Sequence, residues 1–256
     1  MKKFLYSLKT DLRFEEPVNN HTFLLRASPL VVPSQEPMRV SLSCSPACGL
    51  GVYKDAFGNL VHQGYLEHGH DSFTFCSTGE VLIDVSKKDY SEPAPYYLSH
   101  TPLTRLEGAL AEYFLEFKTT GSADQVTDYW VSRISCDFRY QKGVTTTSTA
   151  ASEAWEIGEG VCQDYSHILL SVLRAQGVPC RYIAGLLQGE GATHAWVEYF
   201  NGEYWVGVDP THNTICNDRY MKISQGIDFS SCSLEKGVFL GGGAQVMLTK
   251  SGLIEL

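Results

Sequence analysis

Cys162 sits where a sequence would place a sulfur nucleophile. Gly158 and Gly160 punctuate the approach, and Tyr165, Ile168, Leu169, Val172 and Leu173 then recur at helical spacings until Gly177 and Pro179 end the pattern. A cysteine in the first turn of such a helix faces unpaired N–H groups and the positive end of the helix dipole, both of which favour a thiolate. A thiolate nucleophile works with a base, and a base works best with a group that orients it. His194 and Asp209 have the residue types for those two roles.

Their spacing is informative as well. Residues 194–200 and 203–209 are rich in aromatic and β-branched side chains, with Asn201-Gly202 between them, the pattern of a two-residue β-hairpin. A turn centred on those two residues sets Phe200 opposite Glu203 and His194 opposite Asp209, with Gly207 opposite Trp196 leaving room for the indole. Directly opposed side chains lie about 5 Å apart on one face, which suits a carboxylate holding an imidazole. The other face, Ala195, Val197, Tyr199, Val206 and Val208, is apolar and suited to a core. A slip of one residue would separate the two polar groups, because the side-chain period is two.

Four blocks carry a family resemblance: Gly-Val-Cys162-Gln-Asp-Tyr-Ser, Gly177-Val-Pro-Cys-Arg181-Tyr-Ile-Ala-Gly185, His194-Ala-Trp-Val-Glu198 and Trp205-Val-Gly-Val-Asp209-Pro-Thr. In this order they resemble the core of the transglutaminase-like superfamily. Asp55-Ala-Phe-Gly-Asn59 and the Gly-rich stretch from Gly226 to Gly243 resemble the flanking regions of bacterial members more loosely. The resemblance implies a papain-like triad of Cys162, His194 and Asp209 on a helix and an antiparallel sheet. It also implies an oxyanion donor upstream of the cysteine, for which Tyr140 is the candidate, alongside the backbone N–H of Cys162. Gln163, Asp164 and Trp196 are candidate substrate-contacting residues, Asp164 having the simpler role of favouring the helix dipole.

The implied reaction is thiol-dependent acyl transfer: a cysteine protease or amidase that cleaves peptide or carboxamide bonds through a thioester. Protein-glutamine transamidation with an amine acceptor is the chemical sibling. A peptide-binding module without catalysis is the alternative from another class. The expected partner is a peptide or protein substrate, and no cofactor or metal is required. Cys44 and Cys48 with His68 and His70 have the residue types of a zinc site, but the spacing is irregular. No EF-hand loop or Walker motif occurs.

Composition fits this reading. Twenty basic against 29 acidic residues give a formal net charge of -9, which argues against nucleic acid or an anionic membrane as partner. The first nine residues begin like a secretory leader, but Lys9 and Asp11 interrupt the apolar run. No later run is long enough to span a membrane. A cytoplasmic location is therefore expected, with the eight cysteines as reduced thiols.

The elements that position these residues read as α+β. Short strands at residues 22–26, 38–42, 51–53, 60–65, 72–76 and 81–85, separated by Pro, Gly and Asn turns, predict an N-terminal antiparallel β-sandwich over residues 1–98. Residues 99–256 are then the papain-like catalytic domain. Within it a helix is expected from Thr101 and Pro102 through Leu103, Leu106, Leu110, Phe114 and Phe117. A second is expected from the Ser122/Gln125 capping box, a third over residues 150–157, and strands return at 220–223 and 244–248.

Overall fold

Phe4, Tyr6, Leu8, Thr10, Leu12 and Phe14 are buried while Leu5, Ser7, Lys9 and Arg13 face outward, the alternation of a strand with one covered face. They belong to β1 (Lys2–Leu25). The computed structural model describes residues 1–256, and the leader-like start is the first part of this strand, Lys9 being one of its outward positions. After β1 come β2 (Gln35–Ser45), β3 (Gly51–Lys54), β4 (Leu60–Leu66) and β5 (His70–Ile83). β5 joins two strands expected separately. β1 pairs with β5 along its first half and with β4 along its second, and irregularities between Arg13 and Val18 and between Asn19 and Thr22 break the register. Bulges of this kind bend a strand. Here the two halves of β1 curl over one core, in which Phe4 and Leu8 join Val18 and Phe23.

The helix expected from Thr101 is divided. Residues Pro102–Thr104 form a 3-10 turn in which the Thr104 hydroxyl accepts the Thr101 N–H at 3.0 Å, and α1 is Gly108–Phe117. α2 (Ala123–Asp137) starts at the expected capping box, with Gln125 N–H donating to Ser122 Oγ at 3.3 Å and Ser122 N–H to Gln125 Oε1 at 3.0 Å. There follow β6 (Arg139–Tyr140), α3 (Ala151–Ile157), β7 (Glu159–Gly160) and α4 (Cys162–Ala175). The next strands are β8 (Cys180–Leu187), β9 (Gly189–Gly191), β10 (His194–Phe200), β11 (Trp205–Asp209), β12 (Thr214–Ile215) and β13 (Tyr220–Gly226). Five of them form an antiparallel sheet in the order β12-β11-β10-β8-β13.

Ala195, Val197, Tyr199 and Val208 on one face of this sheet share a core with Ile168, Leu169, Val172 and Leu173 of α4. Removing a side chain of that size from water is worth about 1.5–3 kcal/mol, so the helix that begins at Cys162 is held by its whole apolar stripe.

The hairpin register differs from the expected one by two residues. Val197 pairs with Val208, Glu198 with Gly207 and Phe200 with Trp205, so four residues, Asn201 to Tyr204, make the loop. The cause is Asn201, whose Oδ1 accepts the N–H groups of both Glu203 and Tyr204 at 3.0 Å, an Asx turn wider than the two-residue type. A shift of two preserves the faces, so His194 and Asp209 still share one. Gly207 lies opposite Glu198, and the glycine that accommodates Trp196 is Gly185. A Cβ there would lie 2.5 Å from the indole and 2.0 Å from the Met221 carbonyl oxygen.

The boundary expected at residue 98 is crossed by the C-terminus. After the short α5 (Phe229–Cys232), β14 (Glu235–Gly241) and β15 (Gln245–Glu255) return to pair with the two halves of β1. They complete one curled eight-stranded antiparallel sheet in which β9 pairs with β15. The N-terminal sheet is thus built from both ends of the chain around an α+β core. No helix is long and apolar enough to cross a membrane.

Candidate active site

Three elements bring the expected triad together. α4 presents Cys162 as its first residue, β10 presents His194 as its first and β11 presents Asp209 as its last. His194 Nε2 donates to Asp209 Oδ2 at 2.7 Å, which leaves Nδ1 as the nitrogen available to the Cys162 sulfur beside the ring. Burial opposes a charged imidazole here, but the Asp209 hydrogen bond and the Cys162 contact outweigh it and lift the His194 pKa to about 9. Burial likewise pushes the Asp209 carboxyl upward, and its bonds to His194 and His212 reverse this and hold it at about 2. The site therefore favours an imidazolium beside an ionised carboxylate. Asp209 is fully buried and His194 is 11% exposed, while Cys162 is partly accessible.

Local sequence explains the position of the sulfur. Gly158 takes φ +78°, which ends α3 in the left-handed region and turns the chain toward α4. β7 then runs parallel to β6, with Gln141 N–H donating to the Gly160 carbonyl at 2.8 Å. Asp164 Oδ2 accepts the Val161 N–H and the Thr145 hydroxyl, each at 2.7 Å. A Cβ on Gly160 would lie 2.4 Å from that carboxylate, so the glycine is what lets Asp164 reach back over the helix start.

The remaining expected residues divide. Tyr140, paired with Gly160 beside the nucleophile, is 45% exposed. Partial burial and the charge at Cys162 raise its pKa, which keeps the hydroxyl a donor. Gln163 points instead to the loop before α3, donating to the Thr147 carbonyl at 3.2 Å. Asp164 caps its own helix, so with Gln163 it ties residues 145–147 to the start of α4. Trp196 is fully buried behind the histidine, its ring stacked at 6.2 Å from that of His194. The Cys44 and Cys48 sulfurs are 3.8 Å apart, but His70 is engaged with His21, Nε2 to Nδ1 at 3.2 Å.

Two neighbours went unrecognised in the sequence. His212 Nδ1 donates to Asp209 Oδ2 at 2.7 Å, and the Tyr220 hydroxyl donates to the same oxygen at 2.9 Å. His212 lies three residues past Asp209, in a turn where Asp209 Oδ1 accepts the N–H groups of Thr211 and His212. An aspartate followed by a turn could have signalled it. Tyr220 arrives from β13 by a pairing that no local pattern announces. The ring nitrogens of His194 and His212 and the Asp209 carboxylate form a set of three ligand-type groups within 4.8 Å of one another. Their spacing is that of two imidazole N–H groups sharing one carboxylate oxygen.

Comparison with known proteins bears on the family and the fold. Residues 109–210 match the model of the transglutaminase-like superfamily, and residues 6–82 match that of the bacterial transglutaminase-like N-terminal region. A Mycobacterium tuberculosis protein of unassigned function is 27% identical over 243 residues, covering 78% of this chain and 75% of its own. A crystal structure described as that of a candidate cysteine protease from Cytophaga hutchinsonii superposes with a TM-score of 0.80 at 19% identity, covering 100% of this chain and 91% of the other. That likeness concerns the fold. A protein-glutamine gamma-glutamyltransferase of Pseudomonas aeruginosa is 35% identical over 82 residues, 27% of this chain and 12% of the relative.

Proposed function

Because the chain belongs to the transglutaminase-like superfamily, we propose that it is a cysteine hydrolase, a protease or amidase that cleaves peptide or carboxamide bonds through a thioester on Cys162. The observation that carries this reading is the 2.7 Å bond from His194 to Asp209 on a ring that faces a helix-opening cysteine. His194 takes the thiol proton, giving a thiolate and imidazolium. The sulfur attacks the carbonyl carbon, and the negative charge that gathers on oxygen meets the Cys162 N–H, which opens the helix without an intrahelical acceptor, and the Tyr140 hydroxyl. The imidazolium then protonates the departing amine as the thioester forms. Neutral His194 draws a proton from water, whose oxygen attacks the thioester, and the thiol is restored. Asp209 orients the ring and stabilises its charged form throughout.

A second reading replaces water with an amine, giving transamidation, and the identity to the gamma-glutamyltransferase supports it. The substrate is in either case a peptide or protein, and the proposed compartment is the cytoplasm. A panel of peptide and carboxamide substrates, assayed with wild type and Cys162→Ala with and without an added primary amine, tests both. Release of free acid and amine by wild type alone supports hydrolysis, and incorporation of the added amine supports transfer. No turnover by wild type across the panel, with peptides bound equally by Cys162→Ala, would favour a binding module instead.

A further inference from the structure

The hydrogen bonding of Asp209 exceeds what orienting one imidazole requires. Its Oδ2 accepts from His194, His212 and Tyr220 at 2.7, 2.7 and 2.9 Å, and its Oδ1 accepts the N–H groups of Thr211 and His212 at 2.9 and 3.3 Å. The three side-chain donors come from β10, the turn after β11 and β13, so they converge on one oxygen from separate parts of the sheet. Tyr220 is buried, packed edge-on to Trp196 at 5.3 Å, and its ring lies 6.2 Å from that of His194. His212 is half exposed, with its ring 5.2 Å from that of His194.

We propose that Tyr220 and His212 are positioning residues that hold the Asp209 carboxylate and divide its hydrogen-bonding capacity with His194, so that the imidazolium is stabilised without being locked. The proposal deepens the reading of the site as a cysteine hydrolase and rests on it for its catalytic meaning. An oxygen with three donors gives less to each than an oxygen with one. A carboxylate given wholly to His194 would hold the proton that the ring must release to the leaving amine, whereas one held by no other donor could rotate away. Sharing meets both demands.

The groups facing His194 are few. They are Cys162 from α4, Asp209 from β11, His212 from the turn and Tyr220 from β13, with uncharged Trp196 behind. Glu198, farther along β10, is ion-paired with Arg181 and Lys222, and the thiol of partly buried Cys216, near Asp209, is pushed well upward by desolvation and by the Asp209 charge.

The test is an imidazole NMR titration of His194 in wild type, Tyr220→Phe, His212→Ala and the double variant, with thermal melts to verify folding. Tyr220→Phe keeps the packed ring, and His212 lies at the surface, so both variants isolate the donor. The expected result is a rise in the His194 titration midpoint of roughly half a pH unit or more in each single variant and a larger rise in the double. An unchanged or lowered midpoint in folded variants would overturn the proposal. Because the titration needs no turnover, its outcome is separate from that of the substrate panel. If the enzymatic reading holds, the same variants should lower kcat more than they raise KM, whereas a merely structural role would leave the titration midpoint in place.

Discussion

His194 and Asp209 meet at 2.7 Å although they are not partners in the sheet. The register that pairs Val197 with Val208 runs the diagonal from the start of β10 to the end of β11, and the twist of two antiparallel strands closes it. Asp209→Asn keeps the size of the side chain and removes the charge. It is expected to lower kcat/KM by a factor on the order of 10⁴, the scale on which orienting carboxylates act in such triads, as measured with any substrate identified in the panel.

The acid function of His194 sets a pH limit. Its pKa is lifted to about 9, so the imidazolium that protonates the leaving amine persists at neutral pH and disappears as pH rises through that value. Amide turnover is expected to fall on the alkaline side with a midpoint near 9. In Asp209→Asn the imidazolium loses its principal support and the fall should begin at lower pH. A kcat/KM profile against pH for the two proteins checks the direction.

Asp164 links the helix start to the loop over it. Asp164→Ala removes the acceptor of the Val161 N–H and the Thr145 hydroxyl, a loss like that of a helix cap, about 1–2 kcal/mol. For a chain of this length the melting temperature should fall by roughly 2–8 °C. Thermal unfolding measures this, and faster proteolysis of residues 141–150 should accompany it because Thr145 is no longer tethered.

Gly185 sits where β8 lies against β13 and the Trp196 indole. The atoms a Cβ would meet include the Met221 backbone oxygen at 2.0 Å, and backbone cannot move aside cheaply. Gly185→Ala is expected to cost roughly 3 kcal/mol or more and to disturb the indole that backs His194. Urea denaturation is the appropriate measurement. Gly207→Ala, where the nearest atom is the Cys216 Cβ at 3.0 Å, should cost clearly less.

Arg181 and Glu198 are each only 4% exposed and are paired at 2.7 Å, with Asp89 also 2.9 Å from the guanidinium. Removing one member leaves buried charge without compensation, which typically costs about 3–5 kcal/mol. Arg181→Ala should therefore destabilise the protein by that order and also lose the stacking of the guanidinium, 4.0 Å above the Trp205 ring. The unfolding free energy from urea titration tests it.

The sequence made some of this legible and left the rest out of reach for physical reasons. Helix starts are local, so Cys162 at the head of α4 and the Ser122/Gln125 box could be read directly. The shared face of His194 and Asp209 survived a misjudged turn, because an error of two residues leaves a period of two intact. The first part of β1 was missed because charged Lys9 and Asp11, harmless on the outer side of a strand, interrupt its apolar residues. The return of β14 and β15 to β1 joins residues more than 200 positions apart, as in Phe4 with Glu255, and nothing nearby in sequence encodes it. Tyr220 escaped notice for the same reason.

The most direct test is the alkylation rate of Cys162 by iodoacetamide at pH 6, followed by peptide mass spectrometry in wild type and His194→Ala. In the native wild-type protein Cys162 is expected to react faster than each of the other seven cysteines and faster than it does in denatured protein, with the advantage lost in His194→Ala. A Cys162 that reacts no faster in the folded wild type than in denatured chain, or that is indifferent to His194→Ala, would contradict a working thiolate and imidazolium pair.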